Sequence, residues 1–301
     1  MVLVVGGRLG ELDTWGRAPS WGDPAEQTTI QVDVDPTAIG LNRPVDLGIV
    51  GDAREVLAVL LPAVQARTPP RSEHAGFEKY RAYTLSWRNL LENTADMSGG
   101  GINPGQMVKV VRDFFPRDAI TAMDGGNTSL WTASYNPILA PRSYLYTSKF
   151  GHLGTGLPYA IGAKLAAPDR PVYLISGDGA LGFNLQELET ARRYNVPITV
   201  VVSCDQGWGM ERSSQMFAQV VAQVGHMVEC DFYPEARYDL VAEALGCHGE
   251  RVDQIEELRP ALERATASGK PALIQVMVDQ MLNMAPPGAM EFGAMVYRAK
   301  D

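Results

Sequence analysis

The chain has 301 residues, is 46% hydrophobic and carries 30 glycines, enough to bury a full α/β core and a smaller second unit. A net charge of −9 argues against nucleic-acid or anionic-membrane partners, which require basic patches, and no apolar run approaches the length of a membrane-spanning helix. Cys204, Cys230 and Cys247 lack paired or metal-finger spacing, which argues against disulfides and zinc, and the opening MVLVVGGRLGE lacks the basic start of a signal peptide, so a cytoplasmic location is expected.

Residues 1–65 read as strand (VLVVGGRLGE), loop, strand (TIQVDVDP) and helix (GDAREVLAVLLPAVQ). Two strands and one helix make a poor independent core. Residues 66–100 have polar, Pro- and Gly-rich ends, ARTPPRSE and DMSGGG, around a helical piece with Trp87 and Leu90–Leu91, and read as a connector. Residues 101–285 alternate strands with helices, the pattern of a doubly wound parallel sheet, and the tail 286–301 lacks a clear period.

Within that larger domain, Val172–Ser176 is a short apolar run of the kind a strand covered on both faces shows. Gly177 and Gly179 predict a tight turn. Leu185, Leu188, Ala191 and Tyr194 then recur at helical spacing, and Ile198–Val202 is the next buried strand after a turn at Asn195–Val196–Pro197. A right-handed βαβ crossover puts Asp178 and Asp205 together at the carboxyl edge of the sheet, where open α/β sheets bind ligands.

The GDG at 177–179, followed at the right spacing by Cys204–Asp205, resembles the cofactor motif of thiamine diphosphate (ThDP) enzymes, a GDG followed about 26 residues later by Asn-Asn. Residues 1–65 resemble the end of the central Rossmann-like domain of acetolactate synthase-like members, with its LVVGARL-type strand, I-x-V/I-D-I-D-P strand and GDA-led helix. The implied fold is α/β: a doubly wound parallel sheet, the pyrophosphate-binding domain, preceded by a partial Rossmann-like domain. The implied cofactors are thiamine diphosphate and Mg²⁺, with FAD or ADP in the central domain a weaker implication because most of its nucleotide cleft is absent.

The resemblance gives the metal to Asp178, Asp205 and the carbonyl of Gly207, with Gly177, Gly179 and Ala180 beside the diphosphate. Asp at 205 in place of Asn is a competent hard-oxygen ligand. Its charge, however, would repel a diphosphate by up to about 4 kcal/mol at about 4 Å and an effective dielectric of about 20, so an altered Mg²⁺ dependence is expected. Asn127 and Thr128, in the strand-end turn Asp124–Thr128, match the diphosphate-contacting pair. The stretch Lys149–Ala163 resembles the family's G-x-M/L-G-x-G-L-P-A-A-I-G-A segment. There Leu153 would force the bent cofactor conformation, Gly151 would offer its carbonyl to the 4′-amino group, and His152 is grouped with the cofactor-binding residues.

Gly207, Trp208, Gly209 and Met210 fall on the loop over the diphosphate and thiazolium, Met210 being also a candidate catalytic residue. Trp208–Gly209 with Glu211 and Gln215 is similar to benzaldehyde lyase and sulfoacetaldehyde acetyltransferase; the substrate-recognising Trp of acetolactate synthase would fall at Ser214. The activating Glu of the family's pyrimidine domain has no match in this chain. The resemblance therefore implies the cofactor-binding half of a carboligase, lyase or decarboxylase acting on a 2-keto acid or 2-hydroxy ketone. It implies a pyrimidine-domain subunit or a missing N-terminal half, an oligomer, and inactivity of the chain alone. A 2-hydroxyacyl-CoA or oxalyl-CoA type lyase and a non-catalytic ThDP-fold subunit are the alternatives.

Overall fold

The computed structural model describes residues 1–68, 76–147, 151–218 and 220–288. The chain forms two compact units, one of residues Met1–Ala82 and one beginning at Tyr83. Lys149 and Phe150, and most of the tail from 286 on, lie outside the described residues.

The first unit holds three parallel strands in the order β1 (Val2–Val5), β2 (Thr29–Asp33) and β3 (Leu47–Val50), followed by helix α1 (Ala53–Gln65). Asp52 starts α1 by accepting from the amides of Arg54 and Glu55. The sequence reading missed β3, a four-residue run whose burial pattern is almost wholly exposed. Two buried polar side chains organise the loops instead of a large apolar core. Arg43 donates to the carbonyls of Gly16 (2.6 Å) and Gly22 (2.9 Å), and Gln31 to those of Gly7 and Ala38 (2.9 Å each). Leu3, Val5, Leu47 and Val50 remain exposed, as the weakness of a two-to-three-strand core predicts.

After α2 (Phe77–Ala95), the second unit runs α3 (Pro104–Phe114), β4 (Ile120–Asp124), α4 (Asn127–Tyr135), β5 (Tyr144–Leu145), α5 (Gly156–Ala166) and β6 (Val172–Gly177). It continues with α6 (Asp178–Gly182), α7 (Glu187–Arg193), β7 (Thr199–Cys204), α8 (Gly209–Phe217), α9 (Val220–Val224) and α10 (Tyr238–Ala244). It ends with β8 (His248–Val252), α11 (Ile255–Ala267), β9 (Ala272–Met277) and α12 (Gln280–Asn283). The six strands are parallel in the order β5-β4-β6-β7-β9-β8.

Every residue of β4, β6 and β7 is buried, and successive side chains feed opposite cores. Tyr173 and Ile175 join α3, α4 and α11 in one cluster; Val172 and Leu174 join α5, α7 and α10 in the other. This is the expected doubly wound sheet. Its chain order reverses at β4, which pairs with β5 on one side and β6 on the other. The crevice at the carboxyl ends of β4 and β6 is therefore the topological switch point, the place where such sheets bind ligands.

Three local expectations need correction. No tight turn separates β6 from α6; neither Gly177 nor Gly179 has a positive φ, and the strand passes straight into the helix. The two glycines serve close approach: a Cβ on Gly177 would sit 3.0 Å from Thr128 Oγ1, and one on Gly179 2.6 Å from the Trp208 ring. Tyr194, counted on the apolar face of the crossover helix, caps α7 and is exposed under the Arg193 guanidinium, 5.0 Å from its ring centroid. Finally, β5 and β8 are edge strands that were not anticipated, because a strand with one free edge needs no continuous apolar run.

Candidate active site

Asp178 opens α6 and is almost fully buried. Its carboxylate accepts from the amides of Gly179 and Gln206 (both 2.8 Å) and from the Cys204 thiol (3.4 Å). Burial first, and then the Asp205 carboxylate, push Asp178 well above the ordinary carboxylate range; burial likewise raises Asp205, against the opposing pull of Asn283 and Arg212. Cys204 between them is raised by burial and by Asp178. The two predicted carboxylates thus meet at the end of β6 and β7 as a desolvated, like-charged pair.

Asp205 Oδ2 is held by Arg212 Nη1 (3.2 Å) and Asn283 Nδ2 (2.9 Å), and its carbonyl accepts from Arg212 Nη1 (3.1 Å) and Gln280 Nε2 (2.8 Å). Gly209 leaves room for this arrangement: a Cβ there would stand 2.6 Å from Asp205 Oδ2. The next residue, Met210, packs on Gly126, at the turn that starts α4. Asn127, first in α4, donates to Ser213 Oγ (3.0 Å) and to the Asn283 carbonyl (2.9 Å), while Thr128 is buried against Gly177. The predicted residues Asn127, Thr128, Gly177, Asp178, Asp205, Gly209 and Met210 therefore converge on the switch-point crevice. Ala180 is buried in the first turn of α6, and the Gly207 carbonyl accepts from the amide of Gly209 (3.1 Å).

Gly151, His152 and Leu153 occupy the loop before α5, with Gly151 at φ +60. That loop is tied to β4 by Asp124, whose Oδ2 accepts from Gly156 N (2.7 Å). His152 is exposed and Leu153 half-buried. A line of rings joins this loop to the rest: His152 lies 6.3 Å from Phe183, Phe183 6.3 Å from Trp208, and Trp208 4.9 Å from Phe232. Sequence reasoning missed Arg212, Ser213, Asn283, Phe183 and Phe232. Gln215, which it noted, clamps the 228–230 segment through Val228 and Cys230.

Two domain families match in this order: the central domain of thiamine pyrophosphate enzymes over residues 1–60, and their C-terminal TPP binding domain over residues 124–276, just over half the chain. The chain belongs to the thiamine pyrophosphate enzymes. A probable acetolactate synthase of Mycobacterium bovis is 34% identical over 79% of this chain and 42% of its own length. A sulfoacetaldehyde acetyltransferase of Alcaligenes xylosoxydans xylosoxydans is 30% identical over 94% of this chain and 50% of its own. Among solved structures, the ThDP-dependent 4-hydroxybenzoylformate decarboxylase of Rhodococcus jostii superposes with a TM-score of 0.67 at 26% identity, covering 92% of this chain and 48% of that one. The chain spans about half the length of the relatives it matches. The match to the family's TPP binding domain runs from Asp124 through Val276 and so contains both carboxylates, Asn127 and Thr128, while Gln280 and Asn283 lie just beyond it. No described helix is long and apolar enough to cross a membrane.

Proposed function

We propose that this chain supplies the Mg²⁺- and ThDP-binding half of an active site for carboligation, C–C lysis or decarboxylation of 2-keto acids or 2-hydroxy ketones. Acetolactate synthase-like is the label that its architecture supports. One observation carries the reading: Asp178 and Asp205 meet as a buried carboxylate pair at the switch point, beside the Asn127 amide. The donor chemistry fits Mg²⁺, which takes hard oxygens. Two carboxylates and the Gly207 carbonyl would hold the ion, and no group of three His, Cys, Asp or Glu among the described residues offers another set. The Asn283 Oδ1 atom, buried without a hydrogen-bond partner beside Asp205, marks unused polar capacity at the same point.

When bound, ThDP supplies a thiazolium carbon nucleophile and an electron sink for the bond that is made or broken. The chain's own residues orient and shield. Asn127 and Thr128 present polar side chains where the diphosphate would lie. Leu153 and Met210 would flank the reactive end with apolar surface, and Gly151 would offer its carbonyl to the aminopyrimidine. No position of the sequence matches the family's activating Glu; in this reading a pyrimidine domain supplies it, from a partner subunit or an N-terminal half, in a cytoplasmic oligomer. Residues 1–65, 66–100, 101–285 and 286–301 then correspond to a central-domain remnant, a connector, the pyrophosphate domain and a tail. FAD or ADP in the remnant stays a minor part of this reading.

A titration with ThDP and Mg²⁺ followed by thermal unfolding tests it. A rise in melting temperature that requires both ligands is expected, since a ligand bound only by the native state stabilises it by mass action. Absence of any shift, with or without a pyrimidine-domain partner, overturns it in favour of a non-catalytic subunit. Turnover of acyl-CoA substrates by the assembled enzyme would favour the CoA-lyase alternative.

A further inference from the structure

Arg212 is only 4% exposed and points into the site from α8. Its guanidinium spans three anchors. Nη1 reaches Asp205 Oδ2 (3.2 Å) and the Asp205 carbonyl (3.1 Å). Nη2 reaches the Gln206 carbonyl (3.0 Å) and Asp231 Oδ1 (2.6 Å), and Nε reaches Asp231 Oδ1 (3.2 Å). The two acidic partners are not equivalent. Asp231 is 77% exposed, so water screens its charge, whereas Asp205 is as buried as the arginine. The interior counter-charge of Asp205 is therefore Arg212.

The backbone around the pair is cut to admit it. A side chain at Gly207 would collide with the Arg212 guanidinium and with the Cys230 carbonyl, and one at Gly209 would strike the Asp205 carboxylate. A glycine thus clears each partner's space. A fully buried carboxylate without such a partner is strongly disfavoured, and removing one member of a buried pair leaves the other uncompensated.

We propose that Arg212 is a positioning residue that makes an aspartate workable at the second metal position. By cancelling the extra charge of Asp205 it returns the site to the net charge that an uncharged amide would leave there, with Asp178 as its single uncompensated carboxylate, and by engaging Oδ2 it would leave Oδ1 as the oxygen available to a cation. The repulsion of a diphosphate expected from the sequence is thereby removed within the chain itself. This rests on the Mg²⁺–ThDP reading above.

The test uses the full-length chain, with binding of Mg²⁺ alone and of ThDP with Mg²⁺ measured separately by calorimetry. Arg212→Met is expected to weaken ThDP binding at least tenfold while strengthening Mg²⁺ alone, because two uncompensated carboxylates attract a cation and repel a diphosphate. Adding Asp205→Asn to Arg212→Met is expected to bring ThDP affinity back to within about threefold of wild type. A merely structural arginine would lower both affinities and show no such rescue, and that result overturns the proposal. Should Arg212→Met fail to fold, Asp205→Asn alone decides, since it keeps the Arg212 contacts to Asp231 and to the backbone. It is expected to weaken Mg²⁺ alone and to tighten ThDP at low Mg²⁺; unchanged or opposite shifts overturn the proposal. No ThDP binding by the wild-type chain overturns the function reading and this inference together, whereas wild-type binding with additive variants overturns only the inference.

Discussion

Gly126 and Met210 lie in direct contact although 84 residues separate them: a Cβ at Gly126 would stand 2.7 Å from Met210 Cβ and 3.1 Å from its Sδ. The turn that starts α4 is thereby seated on α8, which brings Asn127 to Ser213 and Asn283. Gly126→Ala forces backbone or Met210 to move, and overpacking of this kind costs about 1–3 kcal/mol. A lower melting temperature and a smaller ThDP-induced shift are expected; an unaltered melting temperature would show that the two segments slide freely.

Asp124 is buried at the end of β4, where its two oxygens accept from Gly125 N (2.8 Å) and Gly156 N (2.7 Å). Burial raises its carboxyl above the ordinary value despite these amides and the nearby His152. The folded state then binds this proton more tightly than the unfolded chain. Its contribution is fully present below the unfolded value and is lost as pH rises through the raised one. Relative to Asp124→Asn, the wild type should lose stability as pH rises from the ordinary carboxylate value through that window, and run parallel to it above. Urea unfolding of both proteins from pH 4 to 8 measures the difference; a difference that grows in favour of the wild type with pH would reverse the sign argued here.

Much of this architecture was legible because central parallel strands must be apolar on both faces. Val172–Ser176 and Ile198–Val202 announce themselves, and the distance between them places Asp178 and Asp205 at one edge. The edge strands were silent for the converse reason. In β8, His248–Glu250 and Arg251 are half-buried and polar, and nothing in HGERV distinguishes a strand from a loop. The partners of Asp205 were silent too. In GMERSSQMF, Glu211 and Arg212 are adjacent, and only groups outside that helix, Asp205, the Gln206 carbonyl and Asp231, draw the arginine inward. Asn283 arrives from α12, 78 residues downstream of Asp205, with no local pattern at all.

Tyr173 illustrates a polar contact sealed within one of the two cores. Its ring stacks on Phe115 at 4.3 Å, and its hydroxyl donates to Asn136 Oδ1 (2.6 Å) while accepting from Arg112 Nη1 (3.4 Å). Tyr173→Phe preserves the stack and strands a buried amide oxygen. Leaving such a group unsatisfied costs about 1–3 kcal/mol, so chemical denaturation should show a loss in that range with ThDP affinity unchanged relative to wild type. A neutral substitution would mean that Arg112 or water takes over the Asn136 oxygen.

Asp178 gives the sharpest separation between stability and binding. Its charge is unfavourable in the unliganded protein, since burial and the Asp205 carboxylate both oppose ionisation. Asp178→Asn removes that charge but keeps only one of the two oxygens that accept from the Gly179 and Gln206 amides, so the two effects offset and the unliganded variant should unfold close to the wild-type temperature. Asp178→Ala also abandons the amides of Gly179 and Gln206 and should be less stable by about 1–3 kcal/mol. Both should lose the stabilisation by ThDP with Mg²⁺, because each removes the one carboxylate of the pair that Arg212 leaves uncompensated. Melting curves of the three proteins, with and without the two ligands, report both effects at once. A ligand-dependent shift surviving in Asp178→Asn would move the metal away from the end of β6, and with it the reason for the buried pair.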